Sequence, residues 1–191
     1  LKSNLPALST KIQDRNGTLL YQIYQDENRS LITLSELPRH IINATLAAED
    51  KNFYKHPGID FAGIARAIVN NFSCTFNLEP CTSSLQGGST ITQQLIKNTL
   101  LSTERTITRK LKEVVLALRT ESMFTKDEIL EMYLNQVPYG GTAYGLEEAS
   151  RQYLGKSVKD TTLAEAAFLT GLPVSPTTLS PFGTTPYLSK V

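Results

Sequence analysis

Two stretches hold residue types that can do chemistry together. In Ala47-Ala48-Glu49-Asp50-Lys51-Asn52-Phe53-Tyr54-Lys55-His56-Pro57-Gly58, small residues deliver two adjacent carboxylates to a helix end, beside an aromatic–His–Gly turn. Acids at a helix C-terminus oppose the macrodipole, which costs stability unless something else retains them. Local rule-breaking of that kind is expected at functional sites. On the residues alone, Glu49 reads equally as a working acid and as a surface acid. His56 reads better as a turn residue bonded to backbone.

The second stretch, Lys97 to Glu113, sets Lys97, Arg105, Arg109, Lys110 and Lys112 against Glu104 and Glu113, five cations to two acids and a net of +3. By itself such a run is a solvated helix face. The segment before it places Thr90, Gln93, Gln94 and Lys97 at one helical face, and hydroxyls, amides and cations together suit a phosphate or diphosphate. A carboxylate to take a hydroxyl proton, plus cations or a metal to hold a departing diphosphate, points to group transfer. A glycosidase needs two carboxyls flanking the bond it cuts, and has no use for a dense cationic surface.

Composition bounds the rest. The 191 residues carry 19 Lys+Arg against 18 Asp+Glu, a formal net charge of +1, with 40% hydrophobic residues. That fits one domain or two small lobes with a real core, and argues against a disordered chain and a disulfide-stapled miniprotein. Near-neutrality speaks against a nucleic-acid partner. The chain has no CxxC or HExxH and two histidines, His40 and His56, which disfavours a zinc site. Gly155-Lys156-Ser157 lacks the first glycine and the preceding strand of a phosphate loop. Neither Ser-x-x-Lys nor Lys-Thr-Gly occurs, which removes penicillin-binding serine chemistry from this stretch. No window approaches the length of a membrane-spanning helix. The chain opens at Leu1 rather than Met and reads as an excised domain or processed product. For Cys74 and Cys81, spacing leaves a short-loop disulfide and two free thiols equally open.

The elements that must position these residues are mostly helices. Ile12 to Tyr24, around Asp14-Arg15-Asn16-Gly17, predicts a β-hairpin. Ser35 is expected to cap a helix to about Lys51, with Pro38 in its first turn. Asp60 is expected to cap the next, whose Phe61, Ile64, Ala65, Ile68, Val69 and Phe72 form a core-facing stripe. A mobile polar loop follows, about residues 70–88. Ser89 is expected to cap a helix through about Leu101, and a longer helix covers Glu104 to about Phe124. On it Ile107, Leu111, Val114, Val115 and Leu118 share one face, opposite Arg105, Arg109, Lys112 and Glu113. Thr125 with Glu128, and Thr162 with Glu165, are capping boxes. Gly145 to Leu154 is a short helix ended by Gly155, and Pro173, Pro176, Pro181 and Pro186 make an extended tail. The hairpin is the one β element expected.

In these residues the sequence resembles the peptidoglycan glycosyltransferase (transglycosylase) domain of class A penicillin-binding proteins and their monofunctional relatives. The first motif is Glu49-Asp50-Lys51-Asn52-Phe53-Tyr54-Lys55-His56-Pro57-Gly58 and the second Gly87-Gly88-Ser89-Thr90-Ile91-Thr92-Gln93-Gln94-Leu95-Ile96-Lys97-Asn98. The third is Arg109-Lys110-Leu111-Lys112-Glu113, and the fourth Lys126-Asp127-Glu128-Ile129-Leu130-Glu131-Met132-Tyr133-Leu134-Asn135. Arg151-Gln152-Tyr153-Leu154-Gly155-Lys156 is similar to the fifth, with Leu154 where the family often has Phe. Five motifs in order across residues 49–156 are specific where any one would be weak.

The resemblance implies a mainly α, lysozyme-like bilobal domain with a small N-terminal β-hairpin. Residues 1–35 would be hairpin and linker from a membrane anchor absent here, 36–175 the glycosyltransferase domain, and 176–191 a Pro-rich linker. It implies polymerisation of lipid II onto a growing glycan strand at the outer face of the bacterial cytoplasmic membrane, with a membrane surface as partner and a transpeptidase domain permitted in the parent chain. By matching position, Glu49 is the expected general base. Glu113 is the second acid, acting directly or through a divalent metal (Mg or Mn), although the sequence requires no cofactor. Lys97, Arg105, Arg109, Lys110 and Lys112 are expected to hold diphosphate, and Ser89, Thr90, Gln93 and Gln94 to position sugar and phosphate. Asp50, Phe53 and His56 are expected to support the Glu49 site. Glu128, Glu131, Tyr133 and Asn135 fit structural roles at least as well. Cys74 and Cys81 lie in the segment that is mobile and membrane-associated in the family, where a disulfide would restrict it.

Overall fold

The computed structural model describes residues 10–16, 19–23, 28–65, 88–101 and 106–174. They fall into two compact units, one from Leu1–Glu49 with Leu130–Val191, the other from Asp50–Ile129. The expected anchor-side linker before Thr10, the loop with Cys74 and Cys81, Arg105 and the Pro-rich tail lie outside the described residues. The fold is mainly α.

In the first unit, β1 (Thr10–Gln13) pairs antiparallel with β2 (Leu19–Ile23), Ile12 opposite Tyr21. The Asn16 N–H donates to Asp14 Oδ1 at 2.8 Å, the local bond that favours Asp in turns. The predicted hairpin is therefore present. Helix α1 (Arg39–Glu49) turns Ile41 and Thr45 inward. Ser35 does not cap it: Thr33 and Glu36 form a capping box for a 3-10 turn, Leu34–Glu36, and Pro38 directly precedes α1. The helix stops at Glu49, two residues short of the expected end.

A second sheet departs from the single β element predicted. Strands β3 (Asn28–Arg29), β4 (Pro138–Gly140) and β5 (Ala143–Tyr144) lie in the order β3-β5-β4, with β3 parallel and β4 antiparallel to β5. Strands of two or three residues are too short to show a two-residue period. Side chains hold the chain around them instead. Asn135 accepts from the Ile32 N–H at 2.9 Å and donates to the Ile32 carbonyl at 2.8 Å, while Glu131 accepts from the Leu34 N–H at 2.7 Å. Glu131 and Asn135 are thus used structurally, and Tyr133 is core. Helices α5 (Leu146–Leu154) and α6 (Leu163–Gly171) complete the unit. Gly155 ends α5 in the left-handed region (φ 71°), and the Thr162–Glu165 capping box opens α6, both as the sequence predicts. Ile41, Leu134, Tyr139, Leu146 and Leu169 form the core.

The second unit begins with a turn-rich segment, residues 50–60, and a helical turn at 61–65. Asp60 caps that turn as predicted, its Oδ1 accepting from the Gly63 N–H at 2.9 Å. Phe61, however, is exposed rather than core-facing. Helix α2 (Ile91–Leu100) is capped by Thr90, not Ser89. Helix α3 (Ile107–Met123) is capped by Thr106 and followed by α4 (Lys126–Gln136), whose Thr125–Glu128 capping box is present and whose residues from Leu130 onward belong to the first unit. The faces of α3 are the reverse of a solvated charge run. Ile107 is 83% exposed and Leu111, Val115 and Leu118 are also exposed, whereas Glu113, Ala117 and Thr120 are buried and Arg109 is half-buried. Among the described residues no helix is long and apolar enough to cross a membrane.

Candidate active site

Glu49 is the last residue of α1 and is half-buried. In the same unit, Tyr139 of β4 is fully buried, and its phenol is held far above its ordinary range, first by burial and then by the charge of Glu49. The helix end thus carries an acid against the dipole, with an aromatic group that registers its charge.

The next residue opens the second unit's network. Asp50 is buried, and its two carboxylate oxygens each lie 3.0 Å from His56 Nε2; Oδ2 also accepts from the Ile91 N–H at 3.1 Å. The Gly58 N–H donates to His56 Nδ1 at 3.2 Å. A nitrogen that accepts carries no proton, so this pattern assigns the proton to Nε2, which donates to Asp50. Phe53, wholly buried, meets Tyr54 and His56 edge-on at 5.2 and 6.4 Å. The geometry makes Asp50, Phe53 and His56 a frame for the turn after Glu49.

Glu113 sits on the inward face of α3 with 2% of its surface exposed. Arg109, one turn earlier, donates from Nη1 to Oε2 at 3.2 Å, and Lys110 donates to Oε1. Lys110 Nζ also donates to Ser89 Oγ at 3.2 Å. A buried carboxylate is expensive unless paired, and here two cations pair it. Arg109 Nε is buried with no hydrogen-bond partner, which leaves a guanidinium donor unspent beside the pair.

Thr90 and Gln93 are placed differently from the sequence expectation of side chains offered to a ligand. Both are buried. Gln93 Oε1 accepts from the Thr90 N–H at 3.0 Å, Thr90 Oγ1 accepts from the Gln93 N–H at 3.3 Å, and that hydroxyl donates to the Gly58 carbonyl at 2.6 Å. Together they close a reciprocal cap that ties α2 to the turn carrying His56. Gln94 is half-buried, and Lys97 and Lys112 stand exposed on α2 and α3.

Four residues with no role expected from the sequence take part. Tyr139 lies in none of the five motifs. Thr92, Glu121 and Lys126 form a bonded set in the second unit: Thr92 Oγ1 donates to Glu121 Oε1 at 2.5 Å, and Lys126 Nζ donates to the same oxygen at 2.8 Å. A signal for Lys126 was present, since a cation in a helix's first turn opposes the dipole as Glu49 does at a last turn.

The described residues thus carry a half-buried acid at the end of α1 and a buried acid paired with two cations on α3, in a mainly α fold. The family model for transglycosylases matches residues 16–190, and the chain belongs to that family, the glycosyltransferases of peptidoglycan synthesis. It is 44% identical over 173 residues to penicillin-binding protein 1A of Clostridium tetani, covering 91% of this chain and 22% of the relative. It is 43% identical to penicillin-binding protein 1F of Bacillus subtilis, covering 91% and 23%, and 42% identical to penicillin-binding protein 1A of Aquifex aeolicus, covering 95% and 24%. The chain therefore spans under a quarter of the length of these relatives.

Proposed function

We propose that this transglycosylase domain polymerises lipid II into β-1,4-linked glycan, with inversion at the donor anomeric carbon and release of undecaprenyl diphosphate. Glu49 takes the proton of the acceptor's 4-hydroxyl as that oxygen forms its bond to the anomeric carbon. The bond from that carbon to the diphosphate breaks, and the electron pair leaves with the diphosphate. Arg109 and Lys110, held by Glu113, take up the charge that develops there, with Lys97, Lys112 and Arg105 adding positive potential. Ser89, bonded to Lys110, and Gln94 contact phosphate or sugar; Thr90 and Gln93 keep the α2 N-terminus in place.

The observation that carries the reading is the pairing of two cations on one buried carboxylate, within a chain of the transglycosylase family. Glu113 is a poor ligand for a resident Mg or Mn, because guanidinium and ammonium groups occupy its oxygens and a hard cation wants several oxygens. No group of three His, Cys, Asp or Glu side chains suited to a metal occurs among the described residues. No step is therefore assigned to a metal.

The exposed apolar face of α3, with Lys110, Lys112 and Arg119 beside it, supports a membrane surface as partner. That fits a lipid-linked substrate and a site of action at the outer face of the bacterial cytoplasmic membrane. A parent chain with a transpeptidase domain fits the length of the relatives. Incubating the domain with lipid II in detergent tests the reading: glycan growth with one diphosphate released per disaccharide added is expected. Cleavage of preformed strands without growth would overturn it in favour of a lytic enzyme.

A further inference from the structure

We propose that Lys126 is a positioning residue for glycosyl transfer, anchoring the turn that follows Glu49; this inference rests on the function proposed above. Its Nζ donates to the His56 carbonyl at 2.7 Å and to Glu121 Oε1 at 2.8 Å, and lies 4.4 Å from the centroid of the buried Phe53 ring. One ammonium thus grips backbone, carboxylate and aromatic face at once. With this bond His56 is fixed at three points: the carbonyl by Lys126, Nε2 by Asp50 and Nδ1 by Gly58.

Glu121 carries the anchorage further. Besides Lys126 it accepts from Thr92 on α2, and its Cγ packs over Gly58 so closely that a Cβ there would lie 2.8 Å away. Gly58 has φ 89°, a conformation that side chains other than glycine rarely adopt. The tight turn, the α2 N-terminus and the start of α4 are therefore joined through one Lys–Glu pair. The first residue of α4 is a costly place for a cation, since the positive end of the dipole is there and its neighbours Asp127 and Glu128 are the residue types that stabilise such ends. Lys126 offsets that cost through its three partners. The turn it holds begins one residue after Glu49 along the chain, so loosening it is expected to act first on the placement of the base.

The test is steady-state polymerisation of lipid II in detergent by the wild type, Lys126→Met, Lys126→Arg and Glu121→Gln, with folded fraction measured by thermal melting. Lys126→Met is expected to lower kcat per folded enzyme on the order of 10- to 100-fold, the scale of a roughly 1 Å misplacement, with KM within about twofold. Lys126→Arg, which keeps charge and donors, is expected to recover most of the rate. Should Lys126→Met fold too poorly to assay, Glu121→Gln keeps the shape, weakens the grip and should lower kcat with KM unchanged. A lowered melting temperature with wild-type kcat in these variants overturns the proposal, as does a raised KM with kcat retained, which would make Lys126 a substrate ligand. A wild type that does not polymerise lipid II would refute the function itself, and this inference with it.

Discussion

Glu49 and Glu113 are the same side chain in opposite settings. Glu49 ends α1, half-buried, with a buried phenol that registers its negative charge. Glu113 lies mid-helix, almost fully buried, with Arg109 and Lys110 on its two oxygens. The first setting keeps an acid available for a proton; the second spends the acid on fixing cations. In the proposed function, environment rather than residue type separates a base from an electrostatic scaffold.

That contrast can be broken by experiment. The largest effect is expected from Glu49→Gln, which keeps size and hydrogen bonding but removes the basic oxygen: kcat for lipid II polymerisation should fall about 10²- to 10⁴-fold. Glu113→Gln should cost less, on the order of 10²-fold, and raise the salt sensitivity of the rate, because Arg109 and Lys110 lose their fixed orientation. Equal losses, or an order reversed between the two, would erase the proposed division of roles.

A third change sharpens the comparison away from both acids. Thr90→Val removes the α2 cap and the bond to the Gly58 carbonyl, an expected loss of about 2 kcal/mol of stability. By scanning calorimetry the melting temperature should drop by roughly 4–8 °C. The smallest effect concerns the exposed counterpart of that cap. Glu165 accepts from the Thr162 N–H and from Lys156, which hold its carboxyl down at about 2. A depressed carboxyl contributes stability that is complete above its ordinary value near 4.5 and lost as pH falls from there through about 2. Glu165→Gln should flatten that acid limb in pH-dependent melting and lower stability slightly at pH 7, where the carboxylate's contribution is complete, with the difference from the wild type closing as pH falls towards 2. A limb as steep as the wild type's would show that other acids carry it.

What was legible in the sequence was local or serial. The hairpin follows from a four-residue turn, two capping boxes from residues three apart, and the family from five motifs in order. What was not legible depended on partners far along the chain. Ser89 and Thr90 can both cap; the Gly58 carbonyl, 32 residues upstream, selects Thr90. The amphipathic pattern of α3 gave two faces without saying which turns inward, and a buried Glu113 with exposed Ile107 reverses the usual answer. Lys126 looked like one charge in a capping box until His56, 70 residues away, supplied its acceptor.

The account's central claim is that Glu49 accepts a proton during transfer, and the pH dependence of kcat/KM for lipid II tests it most directly. The wild type and Glu113→Gln should both lose activity as pH falls through the range where a carboxylate base protonates. The residual activity of Glu49→Gln should show no such acidic limb. An acidic limb retained in Glu49→Gln, at the wild-type position, would contradict the assignment.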